Sequence, residues 1–333
     1  MGKLAPNELQ KMLNFIRPDP RVVVPPLIGY DSGVHRIGDK YMVVATDPCI
    51  GVPEDWFGYL LINYAASDVA LSGATPQFCT ITLLGPRPTN PKLFQKLMKQ
   101  TCEAADELNI AIVRGHTGMY DSIKEPLGVC TVYGTIAPER LITSGGAKPG
   151  DLIVCTKPLG AETITNYALM HPKAAKKLFG AEKQLALAGQ IRLQSCVRET
   201  LALAKVEGMH AMHDATEGGF VSALNELAAA SKVGFKVNWQ KIPVHIQALT
   251  LQRHFQLTDV QLLAMSSTGT VLCAVSPESG DKVIDVLEEQ GLTAYFIGEF
   301  TKKLQRIVVR DGVEEAYPKQ ADDPYTAIMV STS

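Results

Sequence analysis

The hydrophobic pattern of the first 140 or so residues alternates between short apolar runs and longer segments of helical period. IGDKYMVVATDP, QFCTITLLG, AIVRGHTG and GVCTVYGTI are short, mostly apolar and bounded by turn residues, which is typical of strands. EDWFGYLLINYAASDVALSGA and PKLFQKLMKQTCEAADELN are longer and have the spacing of helices. The resulting β-α-β-α-β-β order has a ferredoxin-like rhythm and predicts an α+β domain.

A stretch rich in glycine and proline, PERLITSGGAKPGD, separates this pattern from a second one. DLIVCTKPLG then begins another strand, turn and helix. Further strands are predicted at FKVNWQKIPV, TVLCAVS and AYFIGEF, and long helices at ALAGQIRLQSCVRETLALAKVEG and GFVSALNELAAASKVG. We therefore predict two domains, residues 1–147 and 148–333, and the first begins with a short amphipathic helix in MGKLAPNELQKMLNF.

Composition narrows the class of protein. The chain has 333 residues, 46% of them apolar and 20% charged, with a net charge of −2. This describes a folded protein with a large core and not a basic nucleic-acid binder. No apolar run reaches the roughly 18 residues of a membrane span, and the N-terminus does not resemble a signal peptide. We expect no nucleic-acid or membrane partner and a cytoplasmic location, where seven cysteines without CxxC spacing would be free thiols.

Three aspartates lie where an apolar run meets a turn or a helix. Asp31 follows VVVPPLIGY, Asp47 closes KYMVVAT, and Asp68 lies inside LLINYAASDVALSGA. Carboxylates in such places are costly to bury without a partner, and a hard divalent cation is a partner that several of them can share. Taken singly, Asp31 and Asp47 are equally well explained as turn residues. The prediction of a magnesium site rests on the three together.

The helix predicted over residues 57–72 has one polar edge. Tyr64, Asp68 and Ser72 share a stripe, and Asn63 and Ser67 form a neighbouring one. Its other faces are apolar and rich in small residues, which favours close packing. We therefore predict that the polar edge points into a site, and the alternative is an edge that faces water.

Two glycine-containing segments are candidates for phosphate binding. Gly115, His116, Thr117 and Gly118 follow the strand AIV, and a turn there would present backbone amides to phosphate oxygens. As a bare motif, this segment is better explained as an ordinary loop.

The second segment is MHDATEGGFVSALNELAAAS. Asp214 and Thr216 precede a helix whose entry contains Gly218 and Gly219, and helix N-terminal amides bind anions. The alternative is that Asp214 or Thr216 is only an N-cap, but capping does not need two glycines, each costing about 1 kcal/mol inside a helix. Close backbone approach explains them better.

The segments IGYDSGV, VVATDP, NYAASDVALSGATP, VRGHTG, KPGDLIV and HDATEGGFVSALNELA, in this order, resemble the aminoimidazole ribonucleotide synthetase (PurM-like) superfamily. Its members include thiamine-monophosphate kinase, selenophosphate synthetase and the hydrogenase maturation factor HypE. The resemblance covers nearly the whole chain and is greatest to HypE.

The resemblance implies an α+β N-terminal domain whose sheet joins that of a second subunit in a dimeric barrel, and an α/β C-terminal domain. It also implies that ATP binds with Mg²⁺ near the subunit interface, with Asp31, Asp47 and Asp68 holding the metal. The residues expected at the nucleotide and its phosphates are Asp31, Asp47, Asn63, Ser67, Asp68, Gly115, His116, Thr117, Asp214, Thr216, Gly218 and Gly219.

Departures from the family pattern leave the reaction open, and no residue is assigned a catalytic role. HypE ends in a cysteine, whereas this chain ends in MVSTS and its last cysteine is Cys273. His116 stands where HypE and thiamine-monophosphate kinase have an aspartate, and no cysteine precedes Cys49 to match the selenophosphate synthetase nucleophile. Two functions remain. One is a homodimeric ATP- and Mg²⁺-dependent enzyme that phosphorylates an oxygen of a small amide, acid or phosphate monoester. The other is a non-catalytic nucleotide-binding dimer that acts as a maturation or partner protein.

Overall fold

A computed structural model describes residue 4 and residues 6–330, which form two compact units. The smaller unit consists of Asp19–Pro25 and Asp31–Leu141. The larger unit contains Pro26–Tyr30, the chain beyond Leu141, and the N-terminal segment up to Pro18 with the predicted short helix, α1 (Pro6–Leu13).

The described part of the smaller unit is one six-stranded sheet with two helices, and the predicted β-α-β-α-β-β order is confirmed. Its strands lie in the order β1-β2-β3-β6-β4-β5, and only β4 and β5 are parallel. The elements are β1 (Val22–Val24), β2 (Gly33–Ile37), β3 (Lys40–Cys49), α2 (Phe57–Leu71), β4 (Phe78–Pro86), α3 (Pro91–Glu107), β5 (Ala111–Tyr120) and β6 (Leu127–Ile136).

Helix α2 is buried almost throughout because it lies between the sheet and α3. Glycines allow both contacts. A Cβ atom at Gly58 would lie 2.3 Å from the backbone nitrogen of Thr101 in α3, and one at Gly128 of β6 would lie 2.7 Å from the Leu61 side chain. The apolar, small-residue composition of α2 therefore reflects burial on two sides.

In the larger unit, as far as Val330, the strands form a mixed sheet in the order β13-β12-β9-β11-β7-β10-β8, in which β9 and β12 are parallel. The strands are β7 (Leu152–Cys155), β8 (Met209–Asp214), β9 (Gly234–Asn238), β10 (Val271–Val275), β11 (Tyr295–Thr301), β12 (Arg306–Arg310) and β13 (Val313–Ala316). The helices are α4 (Ala161–Met170), α5 (Pro172–Phe179), α6 (Ala181–Ala188), α7 (Val197–Leu203), α8 (Gly219–Ser231), α9 (Ile246–His254), α10 (Asp259–Leu263), α11 (Gly280–Glu289) and α12 (Tyr325–Val330).

The long helix predicted over ALAGQIRLQSCVRETLALAKVEG is wrong. Helix α6 ends at Ala188, a 3-10 turn follows, and α7 begins only at Val197. The cause lies in the tertiary structure. The buried Nζ of Lys157 donates hydrogen bonds to two carbonyls of this stretch, those of Leu193 and Ser195, at 3.0 and 2.8 Å. Carbonyls that face a buried ammonium group are not available to a continuous helix.

Within the described residues, no helix is both long enough and apolar enough to cross a membrane.

Candidate functional site

Asp47 lies in β3, and its position on the sheet is fixed by pairing. It stands opposite Cys130 of β6, so both side chains lie on the same sheet face. Gly128, two residues before Cys130, contacts α2 on that face. Asp47 is therefore a partly buried carboxylate on the face that α2 covers. The extended conformation predicted for the residue before Pro48 is also observed.

The polar stripe of α2 lies beside the start of β2. Ser72, at the C-terminal end of the helix, is 2.7 Å from Ser32 between the two hydroxyl oxygens. Asp31 precedes Ser32, and Asp68 lies one helical turn before Ser72, so this contact brings the two acidic segments together. Tyr64 and Asp68 are partly buried. All three predicted carboxylates thus belong to the smaller unit, with Asp47 on the sheet face that α2 covers and Asp31 and Asp68 in the segments joined by the Ser32–Ser72 contact.

Carboxylates suit a hard divalent cation by their chemistry, because carboxylate oxygens are its preferred ligands. Among the described residues, Asp31, Asp47 and Asp68 do not bring an oxygen each within 4.8 Å of one another. Magnesium usually keeps several waters and binds one or two carboxylates together with substrate phosphates, so it does not need all three at contact distance. The assignment of the metal to these residues stays a prediction.

Asn63 and Ser67, the second predicted stripe, are buried, at 2% and 1% exposure. The side-chain amide of Asn63 donates a hydrogen bond of 2.9 Å to the carbonyl of Tyr59 within the same helix. In this structure the Asn63 amide therefore stabilises α2 itself, and its predicted contact with a nucleotide stays untested.

The strand predicted over AIVRGHTG is confirmed, since β5 continues through Gly115–Gly118 to Tyr120, and the turn expected after AIV is wrong as a local structure. A Cβ atom at Gly115 would lie 2.8 Å from the carbonyl oxygen of Ile81 on β4, which explains this glycine by strand packing. His116 and Thr117 are exposed on the edge strand, and the His116 ring is 3.2 Å from the Tyr120 hydroxyl. This segment offers side chains to a ligand and does not form a cradle of amides.

The segment Asp214–Gly219 lies at the carboxyl end of β8 and enters α8, as predicted. Asp214 is the last residue of β8 and is 3% exposed. Gly218 and Gly219 have φ angles of +79° and +50°, and a Cβ atom at Gly219 would lie 2.5 Å from the carbonyl oxygen of Met265. The close backbone approach inferred from the two glycines is thus an approach to the protein's own backbone.

The amide of Gly218 already binds an anion, the carboxylate of Asp323. Its N–H donates to Asp323 Oδ2 at 3.1 Å, and the Ser266 hydroxyl donates to the same oxygen at 2.5 Å. The other oxygen, Oδ1, accepts the backbone N–H of Tyr325 at 2.9 Å. The predicted anion site at the start of α8 is therefore taken by a carboxylate from the C-terminal segment.

A second buried carboxylate, Glu162, lies in the first turn of α4. Its Oε2 atom accepts hydrogen bonds from the backbone N–H and the hydroxyl of Thr268, at 3.0 and 2.6 Å. Burial raises the pKa of Glu162 from 4.5 to about 7, against the lowering effect of Thr268 and with a further increase from Asp323 and Glu217. Its surroundings therefore oppose ionisation of this carboxyl.

Sequence reasoning missed both Glu162 and Asp323. Two signals were available. The run SSTGT, residues 266–270, concentrates hydroxyl groups before an apolar strand, and ADDPYTA has the pattern of a helix N-cap. Neither signal predicts the contact partner, because 106 residues separate Glu162 from Thr268 and 105 separate Gly218 from Asp323.

The seven cysteines, all in the described range, are free thiols, and only Cys102 is exposed. Burial raises the pKa of Cys155 to about 12 and also raises that of Cys49 and Cys273. Because the thiolate is the reactive form, these three groups are poor nucleophiles. Cys273, the last cysteine of the chain, lies within β10 with no exposed surface.

These features define a class of two-domain proteins in which an α+β domain with carboxylates beside its first long helix precedes a domain built on a mixed sheet. The chain belongs to the AIR synthase related proteins. Residues 29–136 match the N-terminal domain of that family and residues 148–310 match its C-terminal domain. The two-domain PurM-like fold expected from the sequence is thereby confirmed.

Several known proteins are similar to this chain over most of its length. It is 24% identical over 285 residues to a putative hydrogenase expression/formation protein of Methanocaldococcus jannaschii, covering 84% of this chain and 82% of that protein. It is 25% identical over 342 residues to the selenide, water dikinase of Carboxydothermus hydrogenoformans, covering 93% and 95%. The crystal structure of the hydrogenase maturation protein HypE in complex with ATP superposes with a TM-score of 0.72 at 18% identity, covering 94% and 91%.

Proposed function

We propose that the protein is an ATP- and Mg²⁺-dependent enzyme that phosphorylates an oxygen of a small substrate. The observation that carries this proposal is the placement of Asp31, Asp47 and Asp68 around α2 in the smaller unit. Asp47 lies on the sheet face that α2 covers, and the Ser32–Ser72 contact joins the segments of the other two. The HypE structure with ATP and the dikinase relative support nucleotide chemistry on this fold.

In this proposal the three aspartates hold Mg²⁺, and the segments 115–117 and 214–219 lie near the nucleotide. When bound, Mg²⁺ would supply charge neutralisation for the phosphates, which is what phosphoryl transfer needs most from a protein site. The aspartates would fix the position of the metal because two of them are carried by regular elements, β3 and α2. The buried Asp214 would add a further carboxylate at the end of β8.

A non-catalytic nucleotide-binding protein is the second candidate, and one contact favours it. The Asp323 carboxylate accepts the hydrogen bond of the Gly218 amide, and this amide is one of the groups assigned to a phosphate. If this contact persists in the presence of ATP, the phosphates lose a donor that transfer would use.

The test is the affinity for ATP with and without Mg²⁺, together with ADP release. Asp47→Asn and Asp68→Asn each remove a charge with little change of shape, so we expect the Mg²⁺-dependent gain in ATP affinity to fall by about tenfold to a hundredfold in each, as loss of a charged ligand costs about 1.5–3 kcal/mol. Isothermal titration calorimetry measures this directly.

Asp39→Asn is the matched control, because Asp39 is exposed in the turn between β2 and β3 of the same unit. It should bind ATP and Mg²⁺ like the wild type. Unchanged ATP affinity and turnover in both Asp47→Asn and Asp68→Asn would refute the metal assignment. Mg²⁺-dependent ATP binding without ADP release across a panel of carboxylates, amides and monophosphates would support the non-catalytic candidate.

We also propose that the protein is a homodimer formed through the sheet of the smaller unit. Its edge strand β5 exposes apolar side chains, with Ile112 at 37% and Val113 at 57% exposure. Phe78 on the neighbouring β4 is 41% exposed. An edge strand with exposed apolar residues is a template for pairing with another chain.

A further inference from the structure

Three titratable side chains of the larger unit form a continuous chain of hydrogen bonds. Both carboxylate oxygens of Asp151 lie close to Nδ1 of the His210 ring, at 3.0 and 2.9 Å. On the other side of the ring, Nε2 is 3.0 Å from Nζ of Lys148. A carboxylate, an imidazole and an amine in this order are typical of a nucleophile that is paired with a base, where a third group orients the base.

The partners of the imidazole determine where its proton lies. A carboxylate only accepts hydrogen bonds, so Nδ1 of His210 carries the proton and donates it to Asp151. An ammonium group only donates, so the lone pair of Nε2 accepts the hydrogen bond from Lys148. His210 can therefore take a proton from the Lys148 ammonium group, and the Asp151 carboxylate would stabilise the imidazolium ion that results.

The protein backbone holds the acid and the base in place. Asp151 is 3% exposed, and its Oδ2 atom also accepts the backbone N–H of Lys148 at 2.7 Å. The carbonyl oxygen of His210 lies against Gly146, where an added Cβ atom would clash with it. His210 is partly buried, whereas Lys148 is exposed. A small molecule from solution can therefore reach the amine.

These three residues lie away from the segment assigned to the nucleotide. His210 is the second residue of β8 and Asp214 is the last, so four strand positions, about 13 Å, separate them. Asp151, His210 and Lys148 are also not among the residues expected at the nucleotide. Their arrangement therefore calls for a role of its own.

We propose that Lys148 is an activated amine that accepts an acyl group from an acyl phosphate. The lysine nitrogen forms a bond to the acyl carbon, and the bond between that carbon and the phosphate oxygen breaks. His210 takes one proton from the ammonium group and passes it to the leaving phosphate, while a second proton goes to water. The products are an Nε-acyl lysine and inorganic phosphate.

An acyl phosphate suits these groups better than a neutral ester does. The imidazolium ion of His210 attracts the phosphate oxygens, because charged hydrogen bonds are the strong ones. The same ion supplies the proton that the phosphate takes up as it leaves. Phosphorylation of a carboxylic acid yields this class of compound, so the source of the donor rests on the proposed function, and the reactivity of the amine does not.

The test follows lysine acetylation by mass spectrometry while the full chain is incubated with acetyl phosphate. We expect Lys148 to react about a hundredfold faster than Lys205, since general-base catalysis contributes at least that factor. Lys205 is the matched internal control, because it is exposed in the turn that precedes β8. Lys205→Arg should leave the acetylation of Lys148 unchanged.

His210→Gln separates base catalysis from mere exposure of the amine. Glutamine can still accept a hydrogen bond from Lys148 but does not take up a proton. The rate at Lys148 should therefore fall to about that of Lys205. Thermal unfolding establishes that the variant is folded.

Asp151→Asn tests the positioning of the imidazole. Asparagine offers a donor to Nδ1 of His210, which favours the tautomer with its proton on Nε2 and removes the acceptor for Lys148. We expect the nitrogen-15 NMR signals of the His210 ring to report this change of tautomer, together with slower acetylation of Lys148.

Two results would overturn the proposal. One is equal acetylation of Lys148 and Lys205 in the wild type, a comparison that needs no variant, and the other is an unchanged rate at Lys148 in His210→Gln. ATP binding is measured separately. Fast acetylation of Lys148 in a protein that does not bind ATP would reject the phosphotransferase function and leave the activated amine in place.

Discussion

Lys157 and Glu162 are both buried ionisable residues, but the groups around them differ. Lys157 forms an ion pair with Glu199 and donates to the carbonyls of Leu193, Ser195 and Gly269. Its ammonium group is therefore fully satisfied, whereas Glu162 has neutral donors on one oxygen and carboxylates nearby. The Lys157 charge holds loops together, whereas the surroundings of Glu162 oppose its ionisation.

The raised pKa of Glu162 predicts how stability depends on pH. Its carboxyl has a pKa of about 7 in the folded protein and 4.5 ordinarily, so the folded state binds the proton more tightly. The stabilisation is complete below about pH 4.5 and is lost as the pH rises through 7, which amounts to about 3 kcal/mol at most. Urea unfolding at pH 5 and pH 8 measures it.

Glu162→Gln should remove most of the difference between the two pH values, because glutamine does not titrate. Its free energy of unfolding should be closer to that of the wild type at pH 5 than at pH 8. A wild-type pH dependence that persists unchanged in the variant would assign the effect to other groups.

At the scale of the element, α2 shows what a sequence pattern can and cannot specify. Its span and its polar stripe were both predictable, since Tyr64, Asp68 and Ser72 are spaced by one turn and the other faces are apolar. What it packs against on its second side was not predictable. The contact with α3 depends on Gly58 lying against the backbone of Thr101, a pairing 43 positions away along the chain.

Gly58→Ala is therefore expected to destabilise the protein although alanine is the better helix former. The added methyl would lie 2.3 Å from a backbone nitrogen, which cannot move without displacing α3, so we expect a loss of about 1–3 kcal/mol in unfolding free energy. Chemical denaturation measures this loss.

Gly33→Ala is the control for this substitution, because its nearest neighbour would be 3.7 Å away and its φ angle is not in the left-handed region. It should change stability little. Equal effects of the two substitutions would show that glycine flexibility, and not the contact with α3, controls the outcome.

The errors of the sequence analysis are also errors about elements. VRGHTG has the glycines of a turn, but Gly115 is required by the close carbonyl of Ile81 in a neighbouring strand. The stretch 186–208 has the composition of a helix, but the Lys157 ammonium group donates hydrogen bonds to two of its carbonyls. In both cases a partner distant in sequence overrides the local pattern. The contact of Asp323 with Gly218, 105 positions apart, is not predictable from local sequence for the same reason.

At the scale of the whole molecule, the proposed dimer is the feature most directly tested. Val113→Lys places a charge on the exposed edge strand β5 and should shift the protein towards the monomer while leaving the fold intact, since charged residues on edge strands prevent pairing. Light scattering over a dilution series measures the change. Wild-type protein that is monomeric at all concentrations would reject the dimer.

Val313→Lys is the matched control. Val313 is 61% exposed on β13, the edge strand of the other sheet, so it tests whether any lysine on an exposed edge has the same effect. The oligomeric state of this variant should equal that of the wild type. Dissociation caused by both substitutions would place the interface elsewhere.

The short segment Pro26–Tyr30 has a consequence for how the chain can be divided. It belongs to the larger unit although both its flanks belong to the smaller one. There Gly29 packs on Glu226, and the Tyr30 hydroxyl lies over Gly145, where an added Cβ atom would be only 2.2 Å from it. A fragment that starts at Ile142 would leave this surface bare. The two units are therefore not interchangeable modules. If recombination after Leu141 replaced the larger unit by that of a related protein, the five residues Pro26–Tyr30 would also have to match the new larger unit.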